Sequence, residues 1–145
     1  MRIIVNVDTR IQIFIKILMI FSFCQGQLVQ ADNSTIVGVY EGIIWSNYDQ
    51  LGITEFYLTA EKLIEAKYIF KDTDGTEAAG ILNDCVLSAL ILHCVWNDQY
   101  GKGDFVVEFN SDFSHFSGQW FDNMNPEKRS ISEDGGYLWS GTRKK

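Results

Sequence analysis

The chain of 145 residues is poor in several things at once: one proline, two histidines, three cysteines, and 12 basic residues against 19 acidic ones. No C-x-x-C pair occurs, so a metal site built from cysteine and histidine is not expected. Neither G-x-S-x-G nor H-E-x-x-H is present, which removes the familiar frames for a serine or zinc hydrolase. There is no phosphate-binding glycine loop and no dinucleotide fingerprint, and Gly101-Lys102-Gly103 reads as a loop. No cofactor is expected. The net charge of −7 repels nucleic acid and anionic membrane surfaces. The one basic run, Arg143-Lys144-Lys145, reads as a solvated end. What is abundant is apolar and aromatic: 46 % and 14 % of residues, with four Trp, six Tyr and ten Phe. That composition excludes a disordered chain, and the length suits one small domain.

The N-terminus stands apart. Arg2, Arg10 and Lys16 precede the apolar run Ile17-Leu18-Met19-Ile20-Phe21-Ser22-Phe23, the order of a secretory signal. Small residues at Cys24 and Gly26 suit cleavage after Gly26, and a second position follows Ala31. A membrane span needs ~20 apolar residues, more than the stretch Ile11 to Phe23 with its Lys16 supplies. Phe23 occupies the place where a lipoprotein signal wants a small residue. The expected organisation is a cleaved signal over 1–26, a flexible segment over 27–35 and a single β domain over 36–145, secreted to an extracellular or periplasmic space and not stably inserted in a membrane. Removing residues 1–26 takes away three basic residues and one acidic residue, which leaves a net charge of −9.

Two cysteines then remain, Cys85 and Cys94. An even count in a secreted chain points to a disulfide, and their spacing suits a bridge across adjacent strands. The alternative is a pair of buried free thiols. Asn33-Ser34-Thr35 is a glycosylation acceptor if the cell is eukaryotic.

Period-two alternation dominates the rest. Strands are expected over Ile36 to Trp45, Leu51 to Leu58, Ile64 to Phe70, Ala78 to Asp84, Leu90 to Trp96, around Phe105 to Phe109, Phe116 to Trp120, and Tyr137 to Arg143. Thr59 to Lys62 is expected to turn, and Asp72-Thr73-Asp74-Gly75 has the Asp-Gly of a tight hairpin. Asn97 to Gly103 reads as a loop, and Asp122 to Gly136, with Pro126, as a long polar one. About eight short strands without a convincing helix describe an all-β fold: an antiparallel up-and-down barrel, or a barrel-like sandwich of calycin-like type.

The order Leu51-Gly52, Ala66-Lys67-Tyr68, Cys94-Val95-Trp96, Gly103-Asp104-Phe105, Phe116-Ser117-Gly118-Gln119-Trp120 and Trp139-Ser140-Gly141-Thr142-Arg143 resembles a group of small secreted antiparallel β-domains, mostly uncharacterised. The resemblance implies a compact β fold and carries no active site. Val95-Trp96-Asn97-Asp98-Gln99-Tyr100 and Phe116 to Trp120 are similar to two strand segments of avidin-like barrels. The spacing between them is longer here, the polar residues that grip biotin have no counterparts that can be placed, and biotin binding is not expected.

For chemistry, His93 and His115 have Asp104, Asp112, Ser114 and Ser117 nearby in sequence, but no motif frames them, and they read as strand or turn residues. Asp72, Asp74 and Glu77 lack the spacing of a calcium loop, and a hairpin accounts for them. Glu41, Glu55, Glu65 and Glu108 fall on outward positions. The rings are more informative. Trp45, Trp96, Trp120 and Trp139 lie on or at the ends of four strands, and with Tyr68 they are the candidate ligand-binding residues. The competing reading is that these rings simply fill the core, as side chains do in small barrels. The expected function is therefore non-enzymatic binding of a small apolar or aromatic ligand. The alternative is a protein-interaction module, such as a secreted inhibitor or envelope-associated factor, using the loop 122–136. A hydrolase built on His93 or His115 ranks last.

Overall fold

The structure is a computed structural model that describes residues 32–125, 130–131 and 133–145. The expected signal over 1–26, Cys24, both cleavage positions and Pro126 lie outside the described residues.

A one-turn 3-10 helix, Asn33–Ile36, leads into eight strands: β1 Gly38–Ser46, β2 Tyr48–Leu58, β3 Ile64–Lys71, β4 Glu77–Ser88, β5 Ile91–Asp98, β6 Gly101–Phe109, β7 His115–Trp120 and β8 Tyr137–Arg143. Each strand pairs antiparallel with the next, and β8 returns to β1, so the sheet closes into an up-and-down barrel. The all-β barrel expected from the alternation is the observed fold. In β3, Ile64, Ala66, Tyr68 and Phe70 are buried while Lys67 and Lys71 are exposed, the two-residue period of a sheet with one dry face.

Several boundaries differ from the sequence reading, β2 for one starting at Tyr48 rather than Leu51, and three differences bear on the fold. Residues 97–103 are not a loop: β5 runs to Asp98 and β6 starts at Gly101, which leaves a turn at Gln99-Tyr100. Second, β4 continues past Asp84 to Ser88 through a register shift between Asn83 and Val86, with Asp84 at φ 51°. An inserted residue of this kind breaks the alternation that marks a strand in sequence. Third, Ile36 ends the 3-10 turn rather than opening β1, and Asp32 caps that turn by accepting the Ser34 N–H at 3.0 Å. The expected turn at Thr59 to Lys62 is present, with Lys62 at φ 65° and its N–H on Thr59 O.

Cys85 and Cys94 form the disulfide, tying β4 to β5 beside that register shift. Cys94 is buried within the core and Cys85 packs against it.

The two ends of the barrel are unlike. At one end Tyr40, Phe56, Phe109 and Phe116 pack edge to face or tilted, with centroids 5.4–5.9 Å apart. Ile36 and Phe113 are buried with them. Arg143 lies over the Tyr40 ring, 5.2 Å from its centroid, and donates from Nε to Tyr40 Oη at 3.0 Å and from Nη2 to Thr35 O. Tyr40 Oη donates to Phe113 O at 2.8 Å. Burial pushes the Tyr40 phenol up, and the Arg143 hydrogen bond and charge oppose it. This end is sealed by rings, the 3-10 turn and one cation.

Candidate functional site

The other end is open. A cavity of about 470 Å³ lies there, lined from β1, β3, β5, β7 and β8 and from the turns at their ends. Its border is built mainly by the odd strands. The odd strands run toward this end and bring large inward rings: Tyr68 and Phe70 on β3, Trp96 on β5, Trp120 on β7. The even strands β4 and β6 start here with small residues on the inward alternation, Ala78, Gly80 and Gly103.

Two of those glycines are required by close approach. Tyr68, Gly80 and Asp98 lie side by side across three strands. A Cβ on Gly80 would come within 2.3 Å of the Tyr68 ring and hydroxyl. The missing side chain lets the phenol cross β4 and donate to Asp98 Oδ2 at 2.8 Å. Gly103 pairs with Trp96, and its Cβ would fall 1.9 Å from Phe121 O and 2.7 Å from the Trp96 nitrogen. That space is used by the 2.6 Å bond from Trp96 Nε1 to Phe121 O.

All five residues singled out in the sequence, Trp45, Tyr68, Trp96, Trp120 and Trp139, border this one cavity. Trp139 is deep: its Nε1 donates to Thr54 Oγ1 at 3.1 Å, and its ring meets Tyr68 and Phe105 edge-on at 4.7 and 4.8 Å. Trp96 and Trp120 meet edge-on at 5.3 Å. Trp45 is out of phase with the inward residues Tyr40 and Ile44 and stays at the rim, stacked on Tyr137 at 4.5 Å. Trp120 Nε1 donates to Trp45 O at 3.0 Å, which ties the Trp120 indole to the backbone of β1. The sealed half therefore holds Tyr40 and a cluster of phenylalanines, and all four indoles border the opening in the other half.

The sequence reading missed the polar part of the lining. Asp72, Asp98, Asp122, Tyr100 and Tyr137 all border the cavity. Tyr100 links two carboxylates: its N–H donates to Asp98 Oδ1 at 2.8 Å and its hydroxyl to Asp72 Oδ2. The Tyr100 hydroxyl, together with the Thr73 N–H, holds the Asp72 carboxyl below its usual range, and the same bond pushes the Tyr100 phenol up. Burial, reinforced by Asp98, pushes the Tyr68 phenol far up, so it stays a neutral donor. On the inward face of β2, opposite Ile44, Gln50 is buried and its Nε2 has no hydrogen-bond partner among the described residues. A signal for the acids was present. Asp72, Asp98 and Asp122 each follow an inward ring by two residues, so one more step of alternation places them on the cavity side.

Other candidates lie elsewhere. His115 is exposed near the sealed end, with Nδ1 3.1 Å from Thr142 Oγ1. Asp112 accepts the Ser114 N–H at 2.9 Å. Ser117 pairs with Ser140 between β7 and β8. His93 and Asp104 border a shallow outer depression with Asp84 and Asn125. The start of the loop 122–136 is held along β6, since Asn125 N–H donates to Asp104 Oδ2 at 2.7 Å and Asp104 N–H to Asn123 O. No protein-family model, curated protein or solved structure matches this chain.

Proposed function

We propose that this chain is exported and that its barrel takes one small apolar or aromatic molecule into the open end. The observation that carries the reading is the cavity of about 470 Å³ with four tryptophans on its border. Small-ligand sites are concave, largely apolar and carry a few placed polar groups, commonly within ~300–1,000 Å³. The closed sheet supports the reading, because its walls hold the site without any rearrangement of strands. Export is supported by the basic start, the apolar run to Phe23 and the disulfide, a bond that persists in oxidising compartments. The resemblance to small secreted β-domains points the same way. The likeness to avidin-like barrels does not extend to their ligand, because an anionic guest such as biotin would meet Asp72, Asp98 and Asp122 at the entrance.

The neutral fluorophore N-phenyl-1-naphthylamine tests the binding half. One saturable site per chain is expected, weakened about tenfold or more in Trp45→Ala, whose ring stands at the rim outside the packed core. Binding that does not saturate, or is indifferent to Trp45, overturns it. For the export half, the intact mass of the protein recovered outside the cytoplasm should correspond to a chain beginning at Gln27 or Asp32. Recovery of a chain that still carries residues 1–26 overturns that half.

A further inference from the structure

We infer that the occupant of this cavity is a small organic cation, an ammonium group on an apolar or aromatic body. The inference rests on the binding reading above and adds the sign of the ligand's charge.

Its basis is a pattern repeated on three strands. Phe70 is followed two residues later by Asp72 just beyond β3, Trp96 by Asp98 at the end of β5, and Trp120 by Asp122 just beyond β7. These strands all run toward the opening. Each therefore sets a ring in the wall and a carboxylate one alternation step nearer the solvent. No lysine, arginine or histidine among the described residues borders the cavity. The donors found on the acids are neutral: Tyr68 hydroxyl and Tyr100 N–H on Asp98, Tyr100 hydroxyl and Thr73 N–H on Asp72. They aim the carboxylates and, among the described residues, leave the charge uncompensated. A carboxylate oxygen accepts more than one hydrogen bond, so acceptor capacity remains for a guest.

The rest of the border adds to this preference. A cation is attracted to aromatic faces, and the attraction grows when water is excluded. A recess with low-dielectric walls also focuses the field of like charges placed at its mouth. An anion would be repelled by the same groups. A neutral guest would gain only the contact with the rings. Carboxylates around the mouth and indoles within suit a molecule whose charged head stays near the rim while its apolar body goes inward.

Calorimetry with three matched probes tests this: 2-phenylethylammonium, 2-phenylethanol and 3-phenylpropanoate. The ammonium should bind about tenfold or more tightly than the alcohol, and the carboxylate most weakly. The ammonium's advantage should shrink between about 20 mM and about 500 mM salt, as rim charges are screened. Asp122→Asn together with Asp98→Asn should cut the ammonium's advantage over the alcohol to about threefold or less, since both probes then meet neutral amides. Alcohol and ammonium binding equally well would overturn the cation assignment and leave the binding reading intact. So would an ammonium that fails to displace bound N-phenyl-1-naphthylamine. If neither that fluorophore nor any of the three probes binds, both readings fall together.

Discussion

Gly80 shows how a single missing side chain reaches the site. It lies between Tyr68 and Asp98, and any Cβ there meets the phenol head-on. Gly80→Ala must move the Tyr68 ring or the strand beneath it. A loss of about 1–3 kcal/mol in urea unfolding is expected, against about 1 kcal/mol for Tyr68→Phe, which removes only the hydroxyl. Equal small losses from both would show that the ring has room to yield. The same residues mark where sequence reading stops. That Tyr68 faces inward follows from alternation in β3. That its hydroxyl ends on a carboxylate two strands away depends on the register of β3, β4 and β5, and register is set by the closed sheet as a whole. Gln50 was hidden for a related reason: a glutamine beside Asp49 reads as solvated, and only the position opposite Ile44 turns it inward.

At the scale of the element, β8 was legible to the residue, because Tyr137 to Arg143 alternates without interruption. β4 and the start of β6 were not. Glycines at 101 and 103 imitate a loop, yet the backbone there is in the sheet. The room a side chain would need at Gly103 is taken by the Trp96 indole and the Phe121 carbonyl. The bulge in β4 shifts the period midway, so its second half looked like noise. The disulfide sits where that irregularity loosens the pairing. Cys85 and Cys94 close a short loop, and losing the bridge should cost about 2–3 kcal/mol by relieving the constraint on the unfolded chain. Urea unfolding with and without reductant, with the Cys85→Ser/Cys94→Ala double variant as a second reading, measures it. An unchanged midpoint in both would show that β4 and β5 hold their register without the bond.

The molecule as a whole responds to alkali through its buried phenols. Tyr40 and Tyr68 both have their ionisation pushed up, with burial the leading cause. Unfolding releases them to the ordinary tyrosine value of about 10. Above that pH the folded chain keeps protons that the unfolded chain gives up, so stability falls as pH rises. Below it both states hold the proton and the contribution is fully present. The urea midpoint should thus stay level toward about pH 9.5 and decline beyond it, less steeply in Tyr68→Phe. A decline of the same steepness in that variant would mean that other groups carry the alkaline loss.

One end of this barrel is stoppered by Tyr40, Phe56, Phe109, Phe116 and Arg143, and the other is not. Among the described residues the vessel is a blind well, with no back door. On the binding reading proposed above, whatever goes in must come out past Trp45, Tyr137 and Tyr100, and a second visitor waits until the first has left. Dwell time is then governed by a few side chains at the lip, which can be altered while the staves below stay as they are.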